Sequence, residues 1–396
     1  MRRDNAYVTL NGGKPNQHAV TIRSSYHRGD DEREQPTDSP ASWQAPFWVC
    51  SDLGDSMRVG VVIPTYDSYG NAGVIRRLIG EAEVLGYDSV WFGDHLIVPG
   101  YAVRQTDPHW YEAMSCAILG MGMTSRLSFG TDVLVAPYRN PILLAKMAAT
   151  AAELSSGRLM LGLGVGFLKG EFDALGASFV QRGAMTDEYL KVMRLLFEGG
   201  GGPLSYKGEW VSFDDAYFGP IPATPPPLLV GGNHERALER AARLGDGWHP
   251  LFTSPELYAR GRARINEIRE REGLASRPFT YSYSCPQTRL LAPGEPSPPP
   301  FSQKVKAPRD YEYIPEMGRA PDGRQRFIGT AEQLLEDIEA FAAAGVEQIV
   351  LRFALPHDAV ITVDGIGAQW RSFSEQLLPI CRRFDAPALT CQRSVS

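Results

Sequence analysis

The sequence predicts a closed (β/α)8 barrel, the TIM-barrel architecture, over residues 57–385 of the 396-residue chain. Two observations carry this. From Met57 onward, short apolar runs alternate eight times with stretches of helical periodicity. Repeated β-then-α units give parallel strands joined by right-handed crossovers, and eight in succession favour closure. The open, doubly wound alternative lacks its fingerprint: LGLGVG (161–166) has no third glycine at the proper offset. No acidic residue ends the next strand at the required distance either.

The elements follow in order. MRVGVVIP (57–64) is a continuous apolar run closed by proline, as suits a strand buried on both faces. Asn71 to Gly86 reads as a helix ended by glycine. DSVWFGDH, a helix from about His109 to Met123, and RLSFGTDVLV come next. Pro141 opens a helix that runs to Ser156, and RLMLGLGVG is the fourth strand. A longer excursion holds a helix from Met185 to Glu198 and a hairpin, PLSYKGEWVSF, with Lys207-Gly208 at its turn. Strands PPLLVGG, GDGWHP and FTYSYSC then alternate with helices His234 to Leu244 and Pro255 to Glu272. The helix Ala331 to Ala344, the strand EQIVLRFA and the helix Trp370 to Phe384 close the set.

Three segments fall outside this pattern. Residues 1–56 are polar and aperiodic and read as a flexible extension, although Trp43, Phe47 and Trp48 offer a short packing segment. Residues 386–396 form a C-terminal tail. After the seventh strand an insertion of about 286–326, rich in proline and glycine, carries Lys304, Lys306, Arg309, Arg319, Arg324 and Arg326. It reads as a segment without secondary structure of its own, either a disordered insertion or a mobile lid that excludes water.

Composition removes several function classes. The net charge is −6 and no basic stripe is present, which argues against a nucleic-acid partner. The five cysteines, Cys50, Cys116, Cys285, Cys381 and Cys391, form no CxxC and no zinc spacing, as expected of reduced thiols in the cytoplasm. MRRDNAYVTL has no apolar stretch behind its arginines, so no signal peptide is expected, and no run has transmembrane length. His95, His109, His234, His249 and His357 make no HxxxH or HxH, so no metal site is expected. A serine hydrolase would show a G-x-S-x-G elbow, which is absent. A carboxylate-based hydrolase would need paired acids at strand ends, and none stands out.

In a barrel, chemistry belongs at the C-terminal strand ends. Strand two ends in Gly93-Asp94-His95, either a proton-exchanging group or a structural hydrogen-bond pair. Strand three, Gly130-Thr131-Asp132-Val133-Leu134-Val135, suggests a bulge or a close backbone approach to a ligand, against ordinary barrel filling. Gly164-Val165-Gly166 ends strand four, where glycines either admit a flat ligand or relieve crowding. Gly231-Gly232-Asn233-His234 runs directly into a helix and offers backbone N–H groups to an anion; a tight structural turn is the alternative.

FGDHLIVP (92–99), the block GTDVLVAPYRNPILLAKMAATAAELSSGRLMLGLGVGFLKGEFDALG (130–176) and PPLLVGGNHERALERAARLGDGWHP (226–250) together resemble the luciferase-like monooxygenase superfamily. They are most similar to its branch that depends on coenzyme F420, a deazaflavin. The resemblance is strong from Met57 to Glu272 and weaker from Phe327 to Phe384.

It implies a bacterial luciferase-like barrel with insertions at the C-terminal face, the largest a mobile lid after strand seven, and a homodimer. It implies F420, or alternatively FMN, with its ring at the barrel mouth. Asp132-Val133 matches a non-proline cis peptide under that ring, with Val135 beside it, although Asp132 replaces the usual small residue. Gly164, Val165 and Gly166 match the approach to the ribityl chain. Gly231, Gly232, Asn233 and His234 match the phosphate turn, and Arg326 is placed to meet an anionic cofactor tail. Asp94 and His95 match the catalytic pair. Phe167 stands where the family's sugar-phosphate dehydrogenases carry a glutamate, which points to a more apolar small-molecule substrate. The reduced cofactor, supplied by a separate reductase or dehydrogenase, would transfer hydride or activate oxygen. An FMN-dependent two-component monooxygenase and a non-catalytic flavin-binding protein are the alternatives.

Overall fold

The computed structural model describes residues 56–103, 106–297, 318–355 and 361–384. The expected N-terminal extension up to residue 55, the tail and the middle of the insertion lie outside them, as do Cys50, Cys391 and His357.

The chain runs β1 (Arg58–Val62), α1 (Ala72–Val84), β2 (Ser89–Phe92), α2 (Ala113–Met123), β3 (Ser128–Thr131), β4 (Leu134–Val135), α3 (Pro141–Ser155) and β5 (Leu159–Gly164). It continues α4 (Lys169–Leu175), α5 (Arg182–Glu198), the hairpin β6 (Pro203–Lys207) and β7 (Ser212–Tyr217), β8 (Leu228–Val230), α6 (Glu235–Leu244) and β9 (Gly247–Trp248). It ends α7 (Pro255–Arg271), β10 (Thr280–Ser284), β11 (Arg289–Leu290), β12 (Ile328–Gly329), α8 (Ala331–Ala343), β13 (Gln348–Leu351), α9 (Val363–Gln376) and α10 (Leu378–Cys381).

The sheet order is β3-β2-β1-β13-β10-β9-β8-β5-β4, every pairing is parallel, and a β3–β5 pairing closes the ring. β3 and β4 are two halves of one strand, so the barrel has eight strands, as the alternation predicts. The break is a bulge. Gly130 pairs with Met160 and Leu134 with Leu163, so four steps on one strand face three on its neighbour. The Asp132–Val133 peptide inside the bulge is cis.

Strand residues face two cores, which is why the strands read as unbroken apolar runs. Val62, Trp91, Met160, Leu229 and Val350 fill the barrel interior, while the larger cluster lies between strands and helices. Gly60 and Gly130 are glycines because Trp91 leaves no room: a Cβ on Gly130 would lie 2.3 Å from its ring.

Some boundaries depart from the expectation. α2 starts at Ala113, where Glu112 accepts from Met114 N and Ser115 N, because the Asp107 carboxylate turns the chain at His109 instead. The last helix starts at Val363, capped by Thr362, and is interrupted before Pro379. α4 is too short for a periodic signal and was not expected. The insertion does have secondary structure of its own: its ends pair, Arg289 with Ile328 and Leu290 with Gly329.

At the N-terminal pole Glu347 is buried, and its carboxylate accepts from Tyr281 N at 3.1 Å. Burial raises its pKa to about 7, against the lowering pull of that N–H and of Arg58 and Arg262. A carboxyl whose folded pKa is raised gives stability that is fully present below its unfolded pKa and lost as pH rises through the folded value. Melting temperature should therefore decline between the ordinary carboxyl range and about pH 7, by up to about 3 kcal/mol of stability. Glu347→Gln should flatten that decline in melts taken from pH 4 to 8; an unchanged slope would clear Glu347 of any part in it.

Candidate active site

The expected pair at the end of β2 splits into two roles. Asp94 is 6% exposed and its carboxylate is saturated. Arg139 grips it through two N–H···O bonds of 2.7 Å, and Val135 N donates at 3.0 Å. Arg139 also reaches Glu112 at 2.7 Å. A bidentate, desolvated pair of this kind fixes geometry. Asp94 ties the end of β2 to β4 and to the segment that follows it.

His95 sits differently. Its ring meets Trp110 edge-on at 4.8 Å and Phe167 at 6.1 Å. Nδ1 lies 3.0 Å from Glu171 Oε2, the side chain is 13% exposed, and among the described residues Nε2 has no hydrogen-bond partner. Trp110 is steadied by its own N–H on Asp107 O at 2.6 Å. Glu171, Tyr138 and Trp110 were not singled out by the sequence. The missing strand-end glutamate at Phe167 drew attention one helical turn too early.

The bulge contributes a buried ionic node. Asp132 Oδ1 faces His249 Nε2 at 3.1 Å, Ser284 Oγ donates to Oδ2 at 2.9 Å, and Arg352 Nη2 closes on the same oxygen. His249 stacks on Trp91 at 4.6 Å, and its Nδ1 lies 2.7 Å from Ser282 Oγ. Burial alone would raise the Asp132 pKa; the Arg352 charge, with His249 and Ser284, outweighs it and holds the carboxyl down at about 2. The serine, histidine and aspartate connect in the order of a hydrolase triad. Yet Ser282 is 0% exposed inside the barrel, where no substrate carbonyl can reach it. His249, Ser282, Ser284 and Arg352 close strand ends remote in sequence, so no local motif announced them.

The glycines of strand four answer first to packing. A Cβ on Gly164 would meet Val133 at 2.7 Å, and one on Gly166, at φ +76°, would meet Val135 at 2.5 Å and Phe172 at 2.9 Å. Val135 itself is buried with Tyr138 and Phe172, while Val165 is half-buried at the rim. The Gly231–His234 turn is more open. Gly232 has φ +103°, and Gly232, Asn233 and His234 are exposed. Asn233 Nδ2 holds Leu251 O at 2.5 Å and Phe252 O at 3.2 Å, and α6 begins at Glu235 without a side-chain cap. An uncapped first turn at an exposed glycine corner fits a phosphate. Arg326 is 7% exposed and donates to Asp337 at 2.9 Å, beside Arg324, which donates to the other Asp337 oxygen at 2.5 Å. Arg326 still lines a small cavity with Phe252, Thr253, Tyr283 and Gln325.

Removing one partner of a buried ion pair leaves the other charge uncompensated, at about 3–5 kcal/mol. Asp132→Ala should cost that much in urea unfolding, because Arg352 and His249 would lose their common acceptor. A loss below about 1 kcal/mol, the scale of an exposed pair, would mean the node is not the buried clamp described.

Known proteins place these features in context. A family model described as luciferase-like monooxygenase matches residues 57–286, more than half of the chain. The phthiodiolone/phenolphthiodiolone dimycocerosates ketoreductase of Mycobacterium tuberculosis is 31% identical over 202 residues, 47% of this chain and 53% of that protein. The chain spans about half the length of the curated relatives it matches. Among solved structures, an F420-dependent secondary alcohol dehydrogenase in complex with an F420–acetone adduct superposes with TM-score 0.64 at 20% identity, over 82% of this chain and 99% of that one. The oxygenating constituent of 3,6-diketocamphane monooxygenase from Pseudomonas putida, in complex with FMN, gives 0.59 at 16% identity, over 82% and 98%. No helix among the described residues is long and apolar enough to cross a membrane. The match spans more than half of the chain, and the chain belongs to the luciferase-like monooxygenase family.

Proposed function

We propose that the chain is an F420-dependent oxidoreductase that moves hydride between the deazaflavin and an apolar carbonyl compound or secondary alcohol, with His95 exchanging the proton. The observation that carries this is His95 itself, held at the barrel mouth by Trp110, Phe167 and Glu171 with Nε2 unpartnered among the described residues. When bound, the deazaflavin supplies a carbon centre for two-electron hydride exchange, where flavin has an oxygen-reactive nitrogen.

The chain's own residues do the rest. The turn Gly231–His234 and the open first turn of α6 hold the phosphate through backbone N–H groups. The bulge at Asp132–Val133, backed by the ionic node, supports the ring, and Gly164, Val165 and Gly166 border the path of the sugar chain. Arg326 waits at the cavity beside Phe252 for an anionic tail. Around His95 the rim is apolar: Leu96, Ile97, Tyr101 and Tyr111 are exposed, Ile97 at 51% and Tyr101 at 66%. Such a rim takes a greasy substrate and sheds water from the reacting atoms. Similarity to a ketoreductase and to a secondary alcohol dehydrogenase supports the same class of substrate. In this reading the protein is a cytoplasmic homodimer whose cofactor is reduced by a separate dehydrogenase.

Titration of the apoprotein with F420 and FMN side by side tests the cofactor. F420 should bind at least tenfold more tightly, a difference of about 1.4 kcal/mol. Preference for FMN would replace hydride transfer by a two-component monooxygenase. His95→Ala should retain cofactor affinity and lower turnover by about 10²–10⁴-fold, the usual contribution of an acid–base group. Turnover within a few-fold of wild type would remove His95 from the chemistry.

A further inference from the structure

Glu171 lies on α4, is 1% exposed, and has every oxygen engaged. Oε1 accepts from Leu96 N at 3.0 Å and Ile97 N at 3.4 Å; Oε2 accepts from the Tyr138 hydroxyl at 3.0 Å and faces His95 Nδ1 at 3.0 Å. Two of these partners are backbone amides that can only donate. The third is a buried phenol kept protonated by burial first and by the Glu171 charge second. A proton on Oε2 would set it against the hydroxyl that already points there. The carboxylate is therefore ionised and acts as an acceptor only. Its fourth partner, Nδ1, must then carry hydrogen, and in neutral imidazole that leaves Nε2 as a bare acceptor.

We infer that Glu171 is the positioning residue of this site: it fixes His95 as the Nδ1–H tautomer and aims Nε2 at the substrate oxygen. The inference rests on the proposed role of His95. In the oxidative direction the substrate C–H leaves as hydride to the deazaflavin carbon, the O–H proton passes to Nε2, and the carbon–oxygen double bond forms. In reduction the imidazolium returns that proton from Nε2 to the carbonyl oxygen as hydride arrives. Glu171 loses and gains no proton in either direction; it balances the charge that His95 acquires. Its backbone bonds to Leu96 and Ile97 extend the same control to the apolar rim, so one carboxylate sets both the base and the wall beside it.

The test is the tautomer itself, read in the full chain labelled with 15N-histidine. Two-bond nitrogen–proton correlations are recorded at a pH where the imidazole is neutral, with His95→Asn to assign the signal. The expected pattern is a protonated Nδ1 and a bare Nε2; a predominant Nε2–H form overturns the proposal even if Glu171→Gln does not fold. In Glu171→Gln the amide can donate to Nδ1, so the Nε2–H form should appear. With it kcat should fall by tenfold or more, toward the roughly 10⁴-fold loss of a catalytic histidine forced into the wrong tautomer, while KM and F420 affinity stay near wild type. Wild-type kcat in Glu171→Gln overturns the proposal. Because the tautomer is measured without cofactor, failure of F420 to bind would count against the proposed reaction and leave this result to stand or fall separately.

Discussion

The structure turns on the buried carboxylate of Asp132. Taking an ion out of water costs several kcal/mol, so a charge placed inside a barrel wall persists only where partners surround it. Asp132 has three, from the ends of β9, β10 and β13, and its own strand is bulged to deliver it. An apolar residue of similar volume would fill that space at lower electrostatic risk. What it would lack is direction: three strand ends converging on two oxygens leave the bulge a single orientation. The residues after it inherit that orientation. Val135 N reaches Asp94, Tyr138 reaches Glu171, and Arg139 reaches both Asp94 and Glu112. Six residues thus brace the loop that presents His95 from one side and α4 from the other.

The barrel was legible in the sequence because its cause is local. A parallel strand covered on both faces must be apolar along its length, and each helix carries its own end signals, as Asn140-Pro141 does for α3. Loop positions such as Asp94, His95 and Gly232 were legible for a similar reason, since strand ends mark where chemistry collects. The partners were not. His95 and Glu171 are 76 residues apart, Asp132 and His249 117, and Asp132 and Arg352 220. Each such pair is made by barrel closure, a global event to which no short window of sequence is sensitive. Asp94 shows the converse: adjacency to His95 suggested a shared role, while its carboxylate is gripped by Arg139, 45 residues away.

The two poles of the barrel handle charge in opposite ways. At the C-terminal mouth the acids are tied: the Asp132 carboxyl is held down at about 2, and Asp94 sits in a bidentate clasp. At the N-terminal pole Glu347 accepts from a backbone N–H, and burial outweighs the lowering pull of that N–H, Arg58 and Arg262, so its pKa rises to about 7. A mouth whose Asp132 keeps its charge fits the proton exchange proposed for His95.

In the insertion after the seventh strand, one residue serves as an anchor and is also the group proposed to meet an anion. Its ends are stitched by β11 and β12, and its return is clamped where Asp337 collects Arg324, Arg326 and Phe327 N. An arginine has five N–H donors in a fixed fork. Arg326 gives Nη1 to Asp337, while among the described residues its buried Nε has no hydrogen-bond partner, and the side chain lines the cavity shared with Phe252 and Thr253. Phe252 O is in turn gripped by Asn233, at the corner proposed for the phosphate. The clamp therefore holds Arg326 in the wall of that cavity through its bond to Asp337. Anchoring and the proposed anion binding are compatible here because they draw on different edges of the same guanidinium.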